Sequence, residues 1–169
     1  GKDMKPLFDA IINNIPCPEG DPEADTQVLI TTIDYNEYLG RIGIGKVENG
    51  TIKVNDEVCI VNIHDNTKNK KVRVTKLYEF EGLNKQEVPE SKYGSIVAIS
   101  GVEDINIGDT ICSPSNPMPL PFVKISEPTL SMTFLVNDSP FAGTEGKFVT
   151  SRHLRARLLK ELNTDVSLR

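Results

Sequence analysis

The segment best suited to bind an anion is a loop with two glycines and a lysine, residues 143–147 (GTEGK), which precedes a predicted helix. Backbone N–H groups and a lysine in such a loop can cradle phosphate. The spacing departs from that of a phosphate-binding loop, because Phe141 stands where the first glycine is required. Phe148 replaces the Ser or Thr that binds magnesium. We therefore do not expect this loop to bind a nucleotide.

Other catalytic motifs are also incomplete. Residues 84–87 (NKQE) are close to the guanine-reading NKxD motif but lack its aspartate, and no DxxG sequence occurs. Without these three elements nothing in the chain is predicted to bind or hydrolyse GTP. His64 and His153 fall in different predicted domains, and Ser139 lies in no nucleophile-elbow pattern. We predict no catalytic residue, no metal ligand and no bound cofactor.

The cysteines do not indicate a disulfide framework or a zinc site. Cys17, Cys59 and Cys112 are odd in number, far apart and never arranged as CxxC. We expect them to be reduced and structural. No apolar run approaches the roughly 20 residues of a membrane helix, and the N-terminus lacks a signal-peptide pattern. These features predict a cytoplasmic location.

Two clusters of cations are the remaining candidates for a functional surface. The net charge of −5 argues against indiscriminate coating of nucleic acid, because that affinity comes from phosphate neutralisation by Lys and Arg. A solvated face is the ordinary interpretation of such clusters, and local phosphate contact is the alternative. The cations concerned are Lys68, Lys70, Lys71, Arg73, Lys76, Lys147, Arg152 and Arg155.

The first elements along the chain are a short helix and a linker. Asp3 is a candidate N-cap, Pro6 is tolerable in the first turn, and apolar residues recur at helical spacing up to Ile15. The apolar stripe needs a partner, either the domain that follows or a preceding one that is missing. Residues 16–25 (PCPEGDPEAD) predict a linker, because three prolines and four acidic groups block regular structure.

A β-rich stretch follows the linker. Short strands alternate with turn residues at a spacing of about 8 to 12 residues, and no helical pattern interrupts them. This arrangement favours a closed barrel or sandwich over a parallel α/β sheet. The stretch begins at Val28, Ile30 and Ile33 and continues through residues 38–46, 51–54, 57–62, 71–80, 95–100 and 110–113.

Two local patterns predict how the strands turn and pack. Asn49 and Gly50 tolerate positive φ and favour a primed hairpin turn, which would pair residues 41–47 with the strand starting at Thr51. The three glycines within residues 40–45 remove side chains where a barrel bends or backbones approach closely. Their spacing does not fit a dinucleotide-binding turn, and no helix follows. We therefore assign them a structural role.

The last third of the chain predicts a separate, unfinished unit. Residues 113–121 (SPSNPMPLP) predict an extended connector that ends the barrel. Residues 129–136 alternate as a strand, residues 150–162 form an amphipathic helix, and residues 165–169 begin another strand. Two strands and a helix cannot cover both faces of a sheet, so we expect an incomplete domain.

Three motifs carry a resemblance to a known family. Residues 40–47 (GRIGIGKV), followed by Gly50 and an alternating strand, resemble the second domain of translational GTPases. Residues 94–101 (GSIVAISG) and 107–111 (IGDTI) resemble the closing strands of the same barrel. Residues 137–152 (NDSPFAGTEGKFVTSR) resemble the opening of the third domain in the BipA/TypA branch. The resemblance covers essentially the whole chain.

The resemblance implies a fold and a domain division. The expected fold class is mainly β: a translation-factor-type antiparallel β-barrel, followed by a partial α+β segment of ferredoxin-like type, as in domain III of elongation factor G. The implied units are 1–15, the terminal helix of a missing GTPase domain; 16–25, a linker; 26–115, the barrel domain II; 116–127, a linker; and 128–169, the truncated first part of domain III.

The resemblance also implies a positional role. The chain would be a non-catalytic part of a ribosome-binding translational GTPase, linking its GTPase domain to C-terminal domains, with GTP and magnesium in the missing GTPase domain. The cations of the two clusters would be the candidate contacts with RNA or the ribosome. Expected partners are ribosomal RNA, ribosomal proteins and the protein's own other domains, without a membrane. Roles in stress response and ribosome assembly are implied. The alternatives are the elongation factor G or LepA branch, and a free-standing β-barrel interaction module.

Overall fold

The computed structural model describes residues 3–17, 19–124, 128–144, 146–165 and 167–168. Within these ranges, only the backbone is described for Asn66. Within these ranges the chain forms two helices and ten strands. The helices are α1 (Lys5–Asn14) and α2 (Ser151–Glu161). The strands are β1 (Gln27–Asn36), β2 (Gly40–Asn49), β3 (Thr51–Lys53), β4 (Glu57–Asn62), β5 (Asp65–Arg73), β6 (Lys76–Glu81), β7 (Asn84–Glu87), β8 (Glu90–Lys92), β9 (Ile96–Ser100) and β10 (Asp109–Cys112).

Eight strands form one antiparallel sheet that curves around a single core. Their order is β5-β4-β10-β1-β2-β9-β6-β7, and β3 pairs with β8 in a second, small sheet. Side chains from both sheets meet inside, and the fully buried members include Ile30, Ile52, Ile60, Leu77, Ile99, Ile105 and Ile111. The predicted mainly β barrel is confirmed. Among the described residues, neither helix is long and apolar enough to cross a membrane.

The predicted hairpin at Asn49 and Gly50 is wrong, although the turn itself is present. Gly50 has the expected positive φ of 71°. However, β2 pairs with β1 and β9, so both of its edges are already occupied. The chain therefore leaves the large sheet at Gly50, and Thr51 lies opposite Lys92 of β8. A local turn signal gives the direction of the chain but not the partner of the strand that follows.

The predicted strand over residues 71–80 is two strands separated by a corner. β5 pairs with β4, whereas β6 pairs with β9. Between them the Val74 N–H donates to the Asp56 carbonyl at 3.1 Å, and the Thr75 N–H donates to the Ser100 carbonyl at 3.0 Å. Val74 is fully buried. The corner carries the chain from one end of the large sheet to the other and helps to enclose the core.

The glycines of β2 have the structural role expected of them. Gly45 lies beside an irregularity in the β1–β2 register between Ile30 and Thr32. A Cβ at Gly45 would stand 2.1 Å from the carbonyl oxygen of Leu29. Because that distance is far inside van der Waals contact, only glycine fits at this close approach of two backbones.

The connector after the barrel has no regular secondary structure up to residue 124, and it is fastened to the barrel surface. The Leu120 N–H donates to Thr110 Oγ1 at 2.9 Å. Gln27 Nε2 donates to the Met118 carbonyl at 3.1 Å. The Phe122 ring packs on Gly108, and the Phe122 carbonyl lies 2.8 Å from His64 Nε2. Residues 125–127 of the predicted linker lie outside the described residues.

The segments that flank the barrel are helical but do not share its core. α1 begins at Lys5 with Met4 in the cap position, and Asp3 Oδ1 accepts from the Lys5 N–H at 3.2 Å. α2 matches the predicted helix and is capped by Thr150, whose Oγ1 accepts from the His153 N–H at 3.4 Å. No residue of either helix is buried.

The predicted strand at residues 129–136 is wrong. These residues have no regular secondary structure, because no strand among the described residues pairs with them to satisfy backbone hydrogen bonds. The strand predicted for residues 165–169 is likewise not formed by residues 165, 167 and 168. Residues 166 and 169 lie outside the described residues.

A buried carboxylate organises the loop between β9 and β10. Asp109 has no exposed surface. It accepts from Asn62 Nδ2 at 2.7 Å, from the backbone N–H of Asn106 at 2.7 Å and from the ammonium of Lys68. The Lys68 side chain is 18% exposed. Asp109 therefore ties β10, β4, β5 and the preceding loop into one network.

We expect Asp109→Asn to lower the free energy of unfolding by about 3 kcal/mol, because it leaves the Lys68 ammonium without its anion in a largely buried site. Urea unfolding at pH 7 measures the change. The matched control is Asp104→Asn, which removes the exposed partner of Lys70 and should leave stability nearly unchanged. An equal decrease in the free energy of unfolding for the two variants would contradict the proposed stabilising role of the buried Asp109 network.

The three thiols differ in accessibility. Cys17 is exposed, whereas Cys59 and Cys112 face each other across β4 and β10 and are 1% and 0% exposed. Burial raises the pKa of the Cys112 thiol to about 11 and also raises the pKa of Cys59. Both thiols therefore stay neutral, and a neutral buried thiol is a poor nucleophile.

We expect iodoacetamide at pH 8 to modify Cys17 alone in the folded chain and all three cysteines in denaturant. Mass spectrometry of the intact chain counts the modified thiols. Modification of Cys59 or Cys112 under native conditions, at a rate similar to that of Cys17, would contradict their assigned burial.

Candidate nucleic-acid interface

The first predicted cluster of cations lies on and beside β5, an edge strand of the large sheet. An edge strand presents unpaired backbone groups, and lysines along it discourage pairing with another chain. Lys70, Lys71 and Arg73 are exposed there. Edge protection therefore accounts for much of this charge without any ligand.

Most cations of this cluster already have a carboxylate partner. Arg73 Nη2 lies 3.3 Å from Glu57 Oε1, opposite it on β4. Lys76 Nζ lies 3.0 Å from Glu87 Oε2, and Lys70 contacts Asp104. The hydrogen bond to Asp104 raises the pKa of Lys70, and the bond to Glu87 raises the pKa of Lys76.

Lys68 has a different place from its neighbours on β5. Its ammonium is directed to the buried Asp109, and its side chain is mostly covered. The Lys68 ammonium is therefore part of the Asp109 hydrogen-bond network of the barrel. Its predicted contact with RNA stays a prediction, but phosphate would have to compete with a buried carboxylate for the same ammonium.

Lys71 differs from the other cations of β5. Its side chain is exposed, and no ion pair joins it to another of the described residues. It lies opposite Cys59 in the β4–β5 register. Within the described ranges, Lys71 is the member of this cluster whose charge is not opposed by a bonded carboxylate.

The second predicted cluster surrounds α2. Lys147, Arg152 and Arg155 are exposed, and no ion pair joins them to other described residues. By contrast, the cations nearer the helix end are engaged: Arg157 contacts Glu161, and Lys160 lies 3.2 Å from Glu37. The first part of α2 thus carries an uncompensated positive charge. Hydrogen bonds and ion pairs of the described residues do not connect this cluster with that of β5.

The segments that partly resemble nucleotide-binding motifs lie in turns, at a helix cap and in an edge strand. The start of the GTEGK loop is a pair of turns, and the Thr144 hydroxyl donates to the Phe141 carbonyl at 2.8 Å. The α2 N-terminus is capped by Thr150. Residues 84–87 form the exposed edge strand β7. Glu145 lies outside the described residues. Among the residues that are described, no group of three His, Cys, Asp or Glu side chains could hold a metal ion.

Both histidines are exposed and make local contacts. His64 is exposed, with its Nε2 on the Phe122 carbonyl, so its ring fastens the connector. His153 is exposed beside Thr150, and its ring meets that of Phe148 edge-on at 5.3 Å. Ser139 lies in an exposed turn. These contacts are structural ones on the surface.

Sequence inspection did not identify the carboxylates that oppose the cations. Asp104, Glu57 and Glu87 are remote from their partners along the chain. The strand register brings Glu57 to Arg73, and Glu87 to Tyr78 two residues from Lys76. Asp104 lies in the loop between β9 and β10 and reaches Lys70 from there. Alternating charge on neighbouring strands is a signal for such pairs only when the strand order is already known.

Comparison with known proteins gives consistent results. Residues 40–112 match the family model "Elongation factor Tu domain 2". Over 168 residues, 99% of the chain, it is 54% identical to "Large ribosomal subunit assembly factor BipA" of Synechocystis sp. and 48% identical to the protein of the same name from Bacillus subtilis. The chain spans 28% and 27% of the lengths of these two relatives.

A solved structure supports the fold. Translation elongation factor SelB from Methanococcus maripaludis, in its apo form, has a TM-score of 0.53 to the chain at 21% sequence identity. The match covers 67% of this chain and 23% of that one. At this identity the likeness concerns the barrel fold alone. The family assignment rests on the identity to the two bacterial relatives and on the family match: the chain belongs to the BipA/TypA family and contains an elongation-factor-Tu-type domain 2.

Proposed function

We propose that this chain is a ribosome-docking part of a BipA/TypA-type translational GTPase. The observation that carries the proposal is the 54% identity, over 99% of the chain, to a relative named as a large ribosomal subunit assembly factor. The role is positional: the barrel and α2 hold the factor on the ribosome, and the nucleotide is bound and hydrolysed by another domain. A cytoplasmic location follows from this role.

The proposal keeps the division expected from the sequence. Residues 1–15 complete a GTPase domain, residues 26–115 form domain II, and residues 128–169 belong to domain III. The apolar side chains of α1 support this division. Phe8 is 55% exposed and Ile12 is 76% exposed, so the barrel does not cover them. A further domain that packs on this face would remove the apolar surface from water.

The unopposed cations are the best candidates for phosphate contacts. Lys71, Lys147, Arg152 and Arg155 have no bonded carboxylate among the described residues. A phosphate near Arg73 would also approach Glu57, and this repulsion weakens binding. Contacts of this kind are made to the RNA backbone and shape, without reading sequence.

The alternative of a free-standing β-barrel module is less well supported. It would leave the exposed apolar faces of α1 and of the segment around Phe134 without a purpose. The elongation factor G or LepA branch shares the barrel, but the match at 54% identity extends over 99% of the chain and so continues beyond the barrel, which favours BipA/TypA. Ribosome binding distinguishes both translational branches from the free-standing module.

We expect the chain to bind purified 70S ribosomes weakly, with affinity that falls as salt rises. Replacing Lys71, Arg152 and Arg155 with glutamine should make the negative slope of log association constant against log salt concentration shallower by about 2 to 3. Each lost phosphate contact removes about 0.7 to 0.9 from the magnitude of that slope. Co-sedimentation from 50 to 300 mM potassium chloride, approximately the working range for such contacts, measures the slope.

The matched control replaces Lys70, Arg73 and Lys76 with glutamine and removes the same charge. It should change the slope much less, because these cations are opposed by carboxylates. Equal effects of the two triple variants would contradict the assignment of contacts. Binding that does not depend on salt would contradict the docking role.

We also expect no GTP binding by this chain. Isothermal calorimetry with GTP and magnesium chloride should give only heats of dilution, because the phosphate-loop, DxxG and NKxD elements are absent or incomplete. A dissociation constant in the range of about 1 to 100 μM, which calorimetry detects readily, would contradict a purely positional role.

A further inference from the structure

Arg41 connects the barrel to the end of α2. It is the second residue of β2, and its side chain is half-buried. Nη1 donates to the Ile105 carbonyl at 3.4 Å, and Nη2 donates to the Leu162 carbonyl at 3.2 Å. One guanidinium therefore holds a loop of the barrel with one side and the C-terminal cap of α2 with the other.

The chemistry of a helix end suits this contact. The last carbonyls of a helix lack partners within the helix, and they carry the negative end of its dipole. Leu162 is the C-cap of α2, and its own N–H is satisfied by the Leu158 carbonyl. Among the described residues no backbone N–H donates to the Leu162 carbonyl, so this oxygen is available to a cation. Arginine presents several donors in a planar fork and can hold two carbonyls at once, whereas lysine is a point charge.

The barrel side of the contact is rigid. Ile105 is fully buried in the core, and its N–H donates to the Val102 carbonyl at 3.2 Å. The next residue, Asn106, donates its backbone N–H to the buried Asp109. The carbonyl that holds Arg41 is therefore fixed by core packing on one side and by the Asp109 network on the other.

Polar contacts are the main attachment of α2 to the barrel. No residue of α2 is buried. The residues at its end, Glu161 to Asn163, are half-covered, whereas most of the helix is exposed. A second contact, between Lys160 and Glu37 at 3.2 Å, lies at the same end but is exposed on both sides. An exposed ion pair of this kind contributes little, so Arg41 is the principal contact.

We propose that Arg41 is a latch that sets the orientation of α2 on the barrel through the Leu162 carbonyl. Loss of this one guanidinium frees the helix while the barrel stays folded. The latch fixes where the unopposed cations Arg152 and Arg155 lie relative to the barrel. It operates within the chain and does not depend on ribosome binding.

The test is a distance measurement between spin labels on the 169-residue chain. Cys17→Ser removes the exposed thiol, and Leu83→Cys and Ala156→Cys place labels in the β6–β7 turn and on α2. Leu83 is fully exposed, and Ala156 is exposed on α2. Cys59 and Cys112 are buried and stay unlabelled. Electron–electron double resonance then reports the distribution of distances.

The parent chain should give a single narrow distribution. Arg41→Ala and Arg41→Lys should both broaden it, whereas Arg155→Ala, which removes the same charge from an exposed site of α2, should leave it narrow. Cooperative thermal unfolding of each variant confirms that the barrel is intact. If Arg41→Ala does not fold, Arg41→Lys alone decides.

Three results would overturn the proposal. One is a narrow distribution in the Arg41 variants. Another is a broad distribution in the parent chain. The third is broadening in Arg155→Ala equal to that in Arg41→Lys. The distribution would then respond to a substitution at an exposed site of α2 as much as to loss of the Arg41 guanidinium.

Discussion

Burial of the inner face of the large antiparallel sheet, against Ile52 of β3 and the loop residues Val102 and Ile105, is the interaction on which the other features of this chain depend. Strands from both ends of the sheet supply side chains to the same core, and the corner at Val74 brings those ends together. A sheet with one buried face fixes its own register, because a slip of one residue would expose the whole apolar set. The registered strands then place Asp109 against Lys68 and Glu57 against Arg73.

The same register decides which cations are available to a partner. Cations on β5 protect an edge, and all of them except Lys71 are paired with carboxylates, whereas Lys147, Arg152 and Arg155 around the start of α2 are unpaired among the described residues. α2 has no hydrophobic attachment to the core, so its position depends on hydrogen bonds at its C-terminal end. The uncompensated positive charge at the start of α2 is thus carried by a part of the chain that has little burial.

Local sequence signals predicted much of the fold but not its pairings. Alternation and turn residues located most strands, and leucine spacing with Thr150 located α2. Gly50 marked a turn, but the partner of β3 depends on which strand edges remain open. The break at Val74 was hidden, because residues 71–80 have continuous β propensity. The candidate cations could be recognised in the sequence by residue type, whereas their partners Asp104, in a loop, and Glu87, on β7, could be found only from the fold.

The central claim is that residues 27–112 fold as one cooperative barrel and that α2 is attached to it without joining its core. Native-state hydrogen exchange by NMR tests this claim most directly. The account predicts that amides of β1, β2, β9 and β10 exchange only through global unfolding, and that α2 amides exchange through far smaller openings. Protection of α2 equal to that of the central strands would contradict it, as would separate unfolding of β4 and β5 from the remainder of the sheet.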